Sequence, residues 1–163
     1  MNILAVIPAR HGSSRFPGKP LASLAGVPMI ERVYKRAAQS DAQISVVVAT
    51  DDKRIADTVR AFGGDVVMTS EDCANGTLRC HEAVEHLESE GQTFDAVLNI
   101  QGDLPFVHPE QIDQLADMLR TPDAAVVTLA KSMPDNPDIH SPHRVKVVRN
   151  LSLIHISEPT RQD

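Results

Sequence analysis

Ile3-Leu4-Ala5-Val6-Ile7-Pro8-Ala9-Arg10-His11-Gly12-Ser13-Ser14-Arg15-Phe16-Pro17-Gly18-Lys19-Pro20-Leu21 begins as an apolar run and becomes a loop crowded with cations, hydroxyls, glycines and prolines. A continuous apolar run such as Ile3–Ile7 predicts a central parallel strand, covered on both faces. The loop then stands at a strand end, where open α/β sheets bind ligands. Its composition suits a polyphosphate. Arg10, Arg15 and Lys19 bring positive charge, Ser13 and Ser14 bring hydroxyls, and N–H groups from Ala9 through Ser14 line a turn that Gly12 eases. Arginine favours bidentate phosphate contacts, whereas lysine acts as a compact point charge. Pro17 and Pro20 restrict the free loop, so less ordering cost falls on binding. The spacing is neither a Walker A loop nor Gly-x-Gly-x-x-Gly. A solvated basic loop is the plain alternative, but long polar loops in compact domains are usually functional. The loop reads as a triphosphate cradle.

Outward from this stretch, apolar runs alternate with helical patterns. Pro28 suits the first turn of a helix carrying Met29, Ile30, Val33, Ala37 and Ala38. Ile44–Ala49 predicts a second strand, and Asp51 a cap for the helix with Ile55, Val59 and Phe62. Gly63-Gly64 ends that helix, and Asp65–Met68 is a third strand. Thr77 to about Glu90 predicts a helix with Ala83, Val84 and Leu87 inward, stopped by Gly91. Ala96–Ile100 is a fourth strand leading into Gln101-Gly102-Asp103-Leu104-Pro105, and His108-Pro109 starts a helix with Ile112, Leu115, Ala116 and Leu119 on one face. Ala124–Ala130 predicts a fifth strand, and Arg144–Val148 a further one after the Pro-rich connection at Met133–Pro137. Strands alternating with crossover helices specify a doubly wound, Rossmann-like, mostly parallel α/β sheet.

The 163 residues favour one domain, and 42% apolar with 23% charged residues is ordinary for a globular chain. A net charge of −6 argues against general nucleic-acid binding, which rests on excess Lys and Arg, and 3% aromatic residues leave little for base stacking. The basic residues of the first loop are therefore local, aimed at a small anion. Cys73 and Cys80 make neither a disulfide framework nor a zinc site. Cys80 beside His81 lacks a third orienting group and reads as a half-buried helix cysteine. The N-terminus has no basic leader and its apolar run is too short to span a bilayer, so a reduced cytoplasmic setting without membrane partners is expected. His11, His81, His86, His108, His140 and His143 show no metal-ligand spacing and read as surface or capping residues.

Leu151–Asp163 fits none of these patterns, and Ser152-Leu153-Ile154-His155-Ile156-Ser157-Glu158-Pro159-Thr160-Arg161 resembles a translated sequencing adapter. The expected organisation is one domain over residues 1–150 and a non-native tail over 151–163, the natural product continuing beyond Asn150. Truncation there is expected to expose apolar surface and favour aggregation.

Two further constellations carry chemistry. In Asn75-Gly76-Thr77-Leu78-Arg79 a helix opens after a glycine, so free N–H groups can meet a base or ribose; Asn75 or Thr77 can equally cap the helix. In Gln101-Gly102-Asp103 a carboxylate follows a buried strand, a standard place for magnesium beside phosphates, or for a loop aspartate.

Ile7-Pro8-Ala9-Arg10-x-x-Ser13-x-Arg15-x-Pro17-Gly18-Lys19-Pro20-Leu21 resembles the signature of the 3-deoxy-manno-octulosonate (Kdo) cytidylyltransferases, the CMP-Kdo synthetases. Matches continue in order through Ala49-Thr50-Asp51, Gly76-Thr77-x-Arg79, Asn99-x-Gln101-Gly102-Asp103-x-Pro105 and Val145-Lys146-Val147-Val148, covering residues 2 to about 149. The resemblance implies a nucleotidyltransferase, glycosyltransferase-A-like fold, usually homodimeric. It implies CMP transfer from CTP to the sugar acid Kdo, with magnesium and pyrophosphate release, in lipopolysaccharide biosynthesis. By the same resemblance, Ala9, Arg10, Ser13, Ser14, Arg15 and Lys19 would hold the triphosphate. Asn75, Gly76, Thr77, Arg79 and Gln101 would serve the rest of CTP, and Asp103 the metal. Lys19, Arg10 and Asp103 are the candidate catalytic groups, Lys19 meeting charge on the α-phosphate and pyrophosphate. The family usually has Glu where Leu78 and Leu104 stand, which leaves the sugar acid open. The alternatives are a related sugar-acid or phosphonate nucleotidyltransferase, or an inactive nucleotide-binding fragment. The family's second metal carboxylate lies beyond this stretch, so weak CTP binding with negligible turnover is expected.

Overall fold

A computed structural model describes residues 1–12, 16–122, 124–130 and 141. The chain divides into two compact units, Met1–Val127 and Thr128–Asp163, and every element described below belongs to the first. Strand β1 (Ile3–Ala9) is buried along its whole length, as its unbroken apolar run requires. A 3₁₀ turn (Lys19–Leu21) and a small hairpin of β2 (Ser23–Leu24) and β3 (Val27–Pro28) follow, before helix α1 (Met29–Ala37). Then come β4 (Ser45–Thr50), α2 (Lys53–Ala61), β5 (Val66–Met68), α3 (Gly76–Ser89), β6 (Ala96–Asn99) and α4 (Pro109–Leu119).

The main sheet has the order β5-β4-β1-β6 with every pairing parallel. Alternate residues of each strand serve opposite faces. Ile3, Ala5 and Ile7 pack with Ile30 and Val33 of α1, Ile55 and Val59 of α2, and Ile112 and Ala116 of α4. Leu4 and Val6 face the other way, with Val47, Ala49, Val67 and the α3 residues Cys80, Ala83 and Leu87. Helices thus cover both faces, and the doubly wound reading holds. From β1 the chain runs first through β4 and β5 on one side, then returns to β6 on the other. The C-terminal ends of β1 and β6 therefore flank a topological switch point, where such sheets bind ligands.

Three expectations need correction. Asp52, not Asp51, caps α2: it is extended (φ −108°, ψ 120°) and its side chain accepts from Arg54 N–H. Asp51 is unavailable because its carboxylate is held by Arg79. Ala124–Ala130 forms no strand among its described residues, and Val126 is 80% exposed. An apolar run becomes a strand only with a ladder partner, and none pairs with it among the described residues. Cys80 is fully rather than half buried, inside the second core. The sequence carries no signal for the Ala25-Gly26 hairpin turn, with φ of 49° and 80°, because its strands have only two residues each. Met133–Pro137, Arg144–Val148 and the tail lie outside the described residues.

Candidate functional site

The loop after β1 is closed on itself. Gly18 N–H donates to the carbonyl of His11 at 2.9 Å, and Gly18 adopts φ 71°, a left-handed conformation that glycine enters without strain. A Cβ at Gly18 would stand 2.9 Å from His11 Nε2, so a larger residue would displace the imidazole as well as strain the backbone. This pinch directs the chain into the Lys19–Leu21 turn and sets where Lys19 emerges.

Across the switch point, β6 ends in the Gln101-Gly102-Asp103 loop. A Cβ on Gly102 would lie 2.8 Å from the carbonyl oxygen of Pro8, so this loop lies directly on the end of β1. Gln101 Nε2 donates to Asn99 Oδ1 at 3.0 Å, which orients its amide. Gly76, first residue of α3, approaches the same point: its Cβ position is 3.2 Å from Pro8 Cγ and 3.7 Å from Gln101 Nε2. The three motifs therefore converge on Pro8.

Their convergence has an electrostatic centre. Lys19 Nζ donates to Asp103 Oδ2 at 2.8 Å, joining residues 84 apart in sequence. The two side chains are 37% and 52% exposed, so the pair is worth no more than about 1 kcal/mol and opens readily. Arg10 is exposed at the end of β1, while Ala9, the strand's last residue, is buried and paired with Thr50. Ser13, Ser14 and Arg15 lie outside the described residues. Among the described residues, no three of His, Cys, Asp or Glu are grouped to hold a metal ion. Asp103 is a single carboxylate here.

At α3 the capping role is explicit. Asn75 is extended and its side chain accepts from Leu78 N–H at 2.9 Å. Thr77 and Leu78 are exposed on the first turn. Arg79 departs from its expected role. It is 2% exposed, with Nη2 donating to Asp51 Oδ2 at 2.6 Å and Nη1 to Thr69 Oγ1 and the Ser70 carbonyl. A guanidinium so engaged does not present itself to a ligand. The sequence offers Asp51 only as a helix cap and gives no role to Thr69, although one signal of their pairing with Arg79 exists: Arg79, Ala83 and Leu87 recur every four residues along one helix face, and all three are buried. An arginine on an apolar helix face demands a buried acidic partner.

Neither cysteine is an activated nucleophile. Burial pushes the Cys80 thiol up to about 12, and burial with the adjacent Glu82 carboxylate raises Cys73. The hydrogen bond from Cys73 lowers Glu82 in turn. His81 and His86 pair with Glu85 and Glu90 along α3, and His108 lies beside Glu110 at the start of α4. His140 and His143 lie outside the described residues. No described helix is long and apolar enough to cross a membrane.

The cytidylyltransferase family model matches residues 4–154. The chain is 48% identical over 147 residues to the mitochondrial 3-deoxy-manno-octulosonate cytidylyltransferase of Arabidopsis thaliana, covering 90% of this chain and 49% of that protein. It is 47% identical over 150 residues to the 8-amino-3,8-dideoxy-manno-octulosonate cytidylyltransferase of a Shewanella species, covering 91% and 60%. Among solved structures, a CMP:2-keto-3-deoxy-manno-octonic acid synthetase complexed with CTP superposes with a TM-score of 0.69 at 43% identity, covering 77% of this chain and 50% of that one. The chain thus spans about half to three-fifths of these relatives' length. With three loops and helix ends gathered at one end of β1 and a family match along almost the whole sequence, the chain belongs to the cytidylyltransferase family.

Proposed function

We propose that this chain carries the CTP-binding part of an enzyme that couples CMP to a 3-deoxy-manno-octulosonate-type acid sugar and releases pyrophosphate. The observation that carries this reading is the Lys19–Asp103 pair at the switch point. A phosphate-seeking cation beside a metal-seeking carboxylate, at strand ends where such sheets bind ligands, supports a triphosphate–metal site there. The CTP complex of the 43% identical synthetase and the Kdo-type names of the relatives support the nucleotide and the sugar class.

Arg10 and Lys19 hold the triphosphate in this reading, and the sequence assigns Ser13, Ser14 and Arg15 to it as well. Because the Lys19–Asp103 pair is exposed, an incoming triphosphate draws Lys19 away at little cost. Lys19 and Arg10 then neutralise charge that builds on the α-phosphate and on the leaving pyrophosphate as the sugar hydroxyl attacks in line. Gly76 and Thr77 offer first-turn N–H groups of α3 to the nucleoside, and Gln101 is held ready beside them by Asn99. Asp103 with phosphate oxygens fits magnesium, which keeps several waters and takes few carboxylates, and which would add charge neutralisation there.

Leu78 and Leu104 are 49% and 47% exposed, so neither is a core residue. Leucine instead of Glu at both places leaves the rim short of two carboxylates. The relatives' names support Kdo or its 8-amino counterpart as the acid sugar, to be distinguished by assay. The test is calorimetric titration of the chain with CTP, UTP, ATP and GTP, with pyrophosphate release from CTP measured in the presence of Kdo or 8-amino-Kdo. Preferential binding of CTP supports the reading. Equal binding of all four nucleotides, or of none, overturns it.

A further inference from the structure

The segment between β5 and α3 is tied down by more bonds than its length suggests. At its start, Thr69 N–H donates to the Thr50 carbonyl at 2.9 Å, continuing the β4–β5 ladder. Arg79 reaches back from the first turn of α3 to Thr69 Oγ1 and the Ser70 carbonyl, and its charge is met by Asp51 at 2.6 Å. One turn further along α3, Glu82 accepts from Ser70 N–H at 2.6 Å through Oε1 and from Cys73 Sγ at 2.8 Å through Oε2. Arg79 and Glu82 are three apart, so both project from one side of the helix.

This clamp has a destination. The segment it holds ends at Asn75-Gly76-Thr77, and Gly76 is seated against Pro8 and Gln101. The first-turn N–H groups can therefore shift relative to the phosphate loop only if the clamp loosens. The bridge to β4 is Asp51, whose side chain is 16% exposed against 3% for Arg79. A buried guanidinium without its carboxylate would be strongly destabilised where it stands, and it would turn outward, releasing Thr69 and Ser70.

We propose that Asp51, acting through Arg79, and Glu82, acting through Ser70 and Cys73, are positioning residues that fix the α3 N-terminus for reading the nucleotide base. This rests on the assignment of CTP made above. Neither carboxylate touches the nucleotide. Both set the register between the turn that meets the base and the loop that meets the phosphates. Base selectivity is therefore separable from phosphate affinity.

Asp51→Asn keeps the side-chain size and removes the charge; Glu82→Gln keeps one acceptor for Ser70 N–H and weakens the hold on Cys73. Affinities for CTP, UTP and inorganic tripolyphosphate are measured by calorimetry on the full chain and both variants. Tripolyphosphate affinity is expected to stay within about twofold, while the CTP-over-UTP preference falls about tenfold, the scale of one well-placed hydrogen bond. A merely structural role would lower thermal stability and leave that ratio unchanged below the melting point. An unchanged ratio in both variants overturns the proposal. If Asp51→Asn does not fold, the Glu82→Gln ratio decides alone. A wild-type chain that binds tripolyphosphate without preferring CTP would overturn the CTP assignment itself, a result distinct from failure of the clamp.

Discussion

At the scale of single residues, Lys19 and Asp52 show how local chemistry becomes testable. Replacing Lys19 with Met removes the cation from the switch point, and the loss of a charged hydrogen bond to phosphate should weaken CTP binding about tenfold or more, read by titration. Thermal stability should barely move, because the Lys19–Asp103 pair is exposed. Asp52 behaves in the opposite way. Its carboxylate accepts from Arg54 N–H and the Arg54 side chain, which holds it down to about 2 from 3.8. Because folding lowers this value, the Asp52 contribution is complete above 3.8, declines as pH falls and is gone below about 2. Asp52→Ala should lose about 1 kcal/mol at neutral pH, and the gap to wild type should close along an acid titration of thermal melts. The cap was legible in sequence to within one residue. Asp51 and Asp52 are indistinguishable until Arg79 claims the first of them.

Among elements, the clearest sequence reading was periodicity. Helix α1 buries Met29, Ile30, Val33 and Ala37 as its spacing requires, while Ala38, past the helix end, is exposed. Helix α4 runs Pro109–Leu119 with Ile112 and Ala116 inward. Strands need a partner as well as a pattern. Ala96–Asn99 forms because β1 offers it a parallel edge, whereas Ala124–Ala130 has comparable apolar content and no ladder partner among the described residues. Close approach between elements also escapes sequence, as Gly102 illustrates. Its neighbour is the Pro8 backbone, which cannot rotate away as a side chain could. Gly102→Ala should cost about 1–3 kcal/mol by denaturant unfolding and weaken CTP binding, since the displaced loop carries Asp103. Unaltered stability would show that the loop does not rest on β1.

For the whole molecule, two cores on opposite faces of one sheet are the organising fact, and Cys80 reports on the second. Its thiol, buried and pushed up to about 12, should resist labelling in the native chain at pH 8 and react once denaturant opens the α3 face. Mass spectrometry after timed alkylation checks this; rapid native labelling at Cys80 would contradict the packing of α3. The alternation of strands and helices from β1 to α4, apart from the short β2–β3 hairpin, and the double covering of the sheet follow from the sequence alone. They depend on patterns within a dozen residues, where side-chain periodicity and turn chemistry act directly. Only the tertiary structure decided that Lys19 meets Asp103, that Gly76 and Gly102 both rest on Pro8, and that Arg79 turns inward to Asp51. Those contacts depend on which strands become neighbours, and strand order is settled by burying both faces of the sheet at once, a requirement no short stretch of sequence contains.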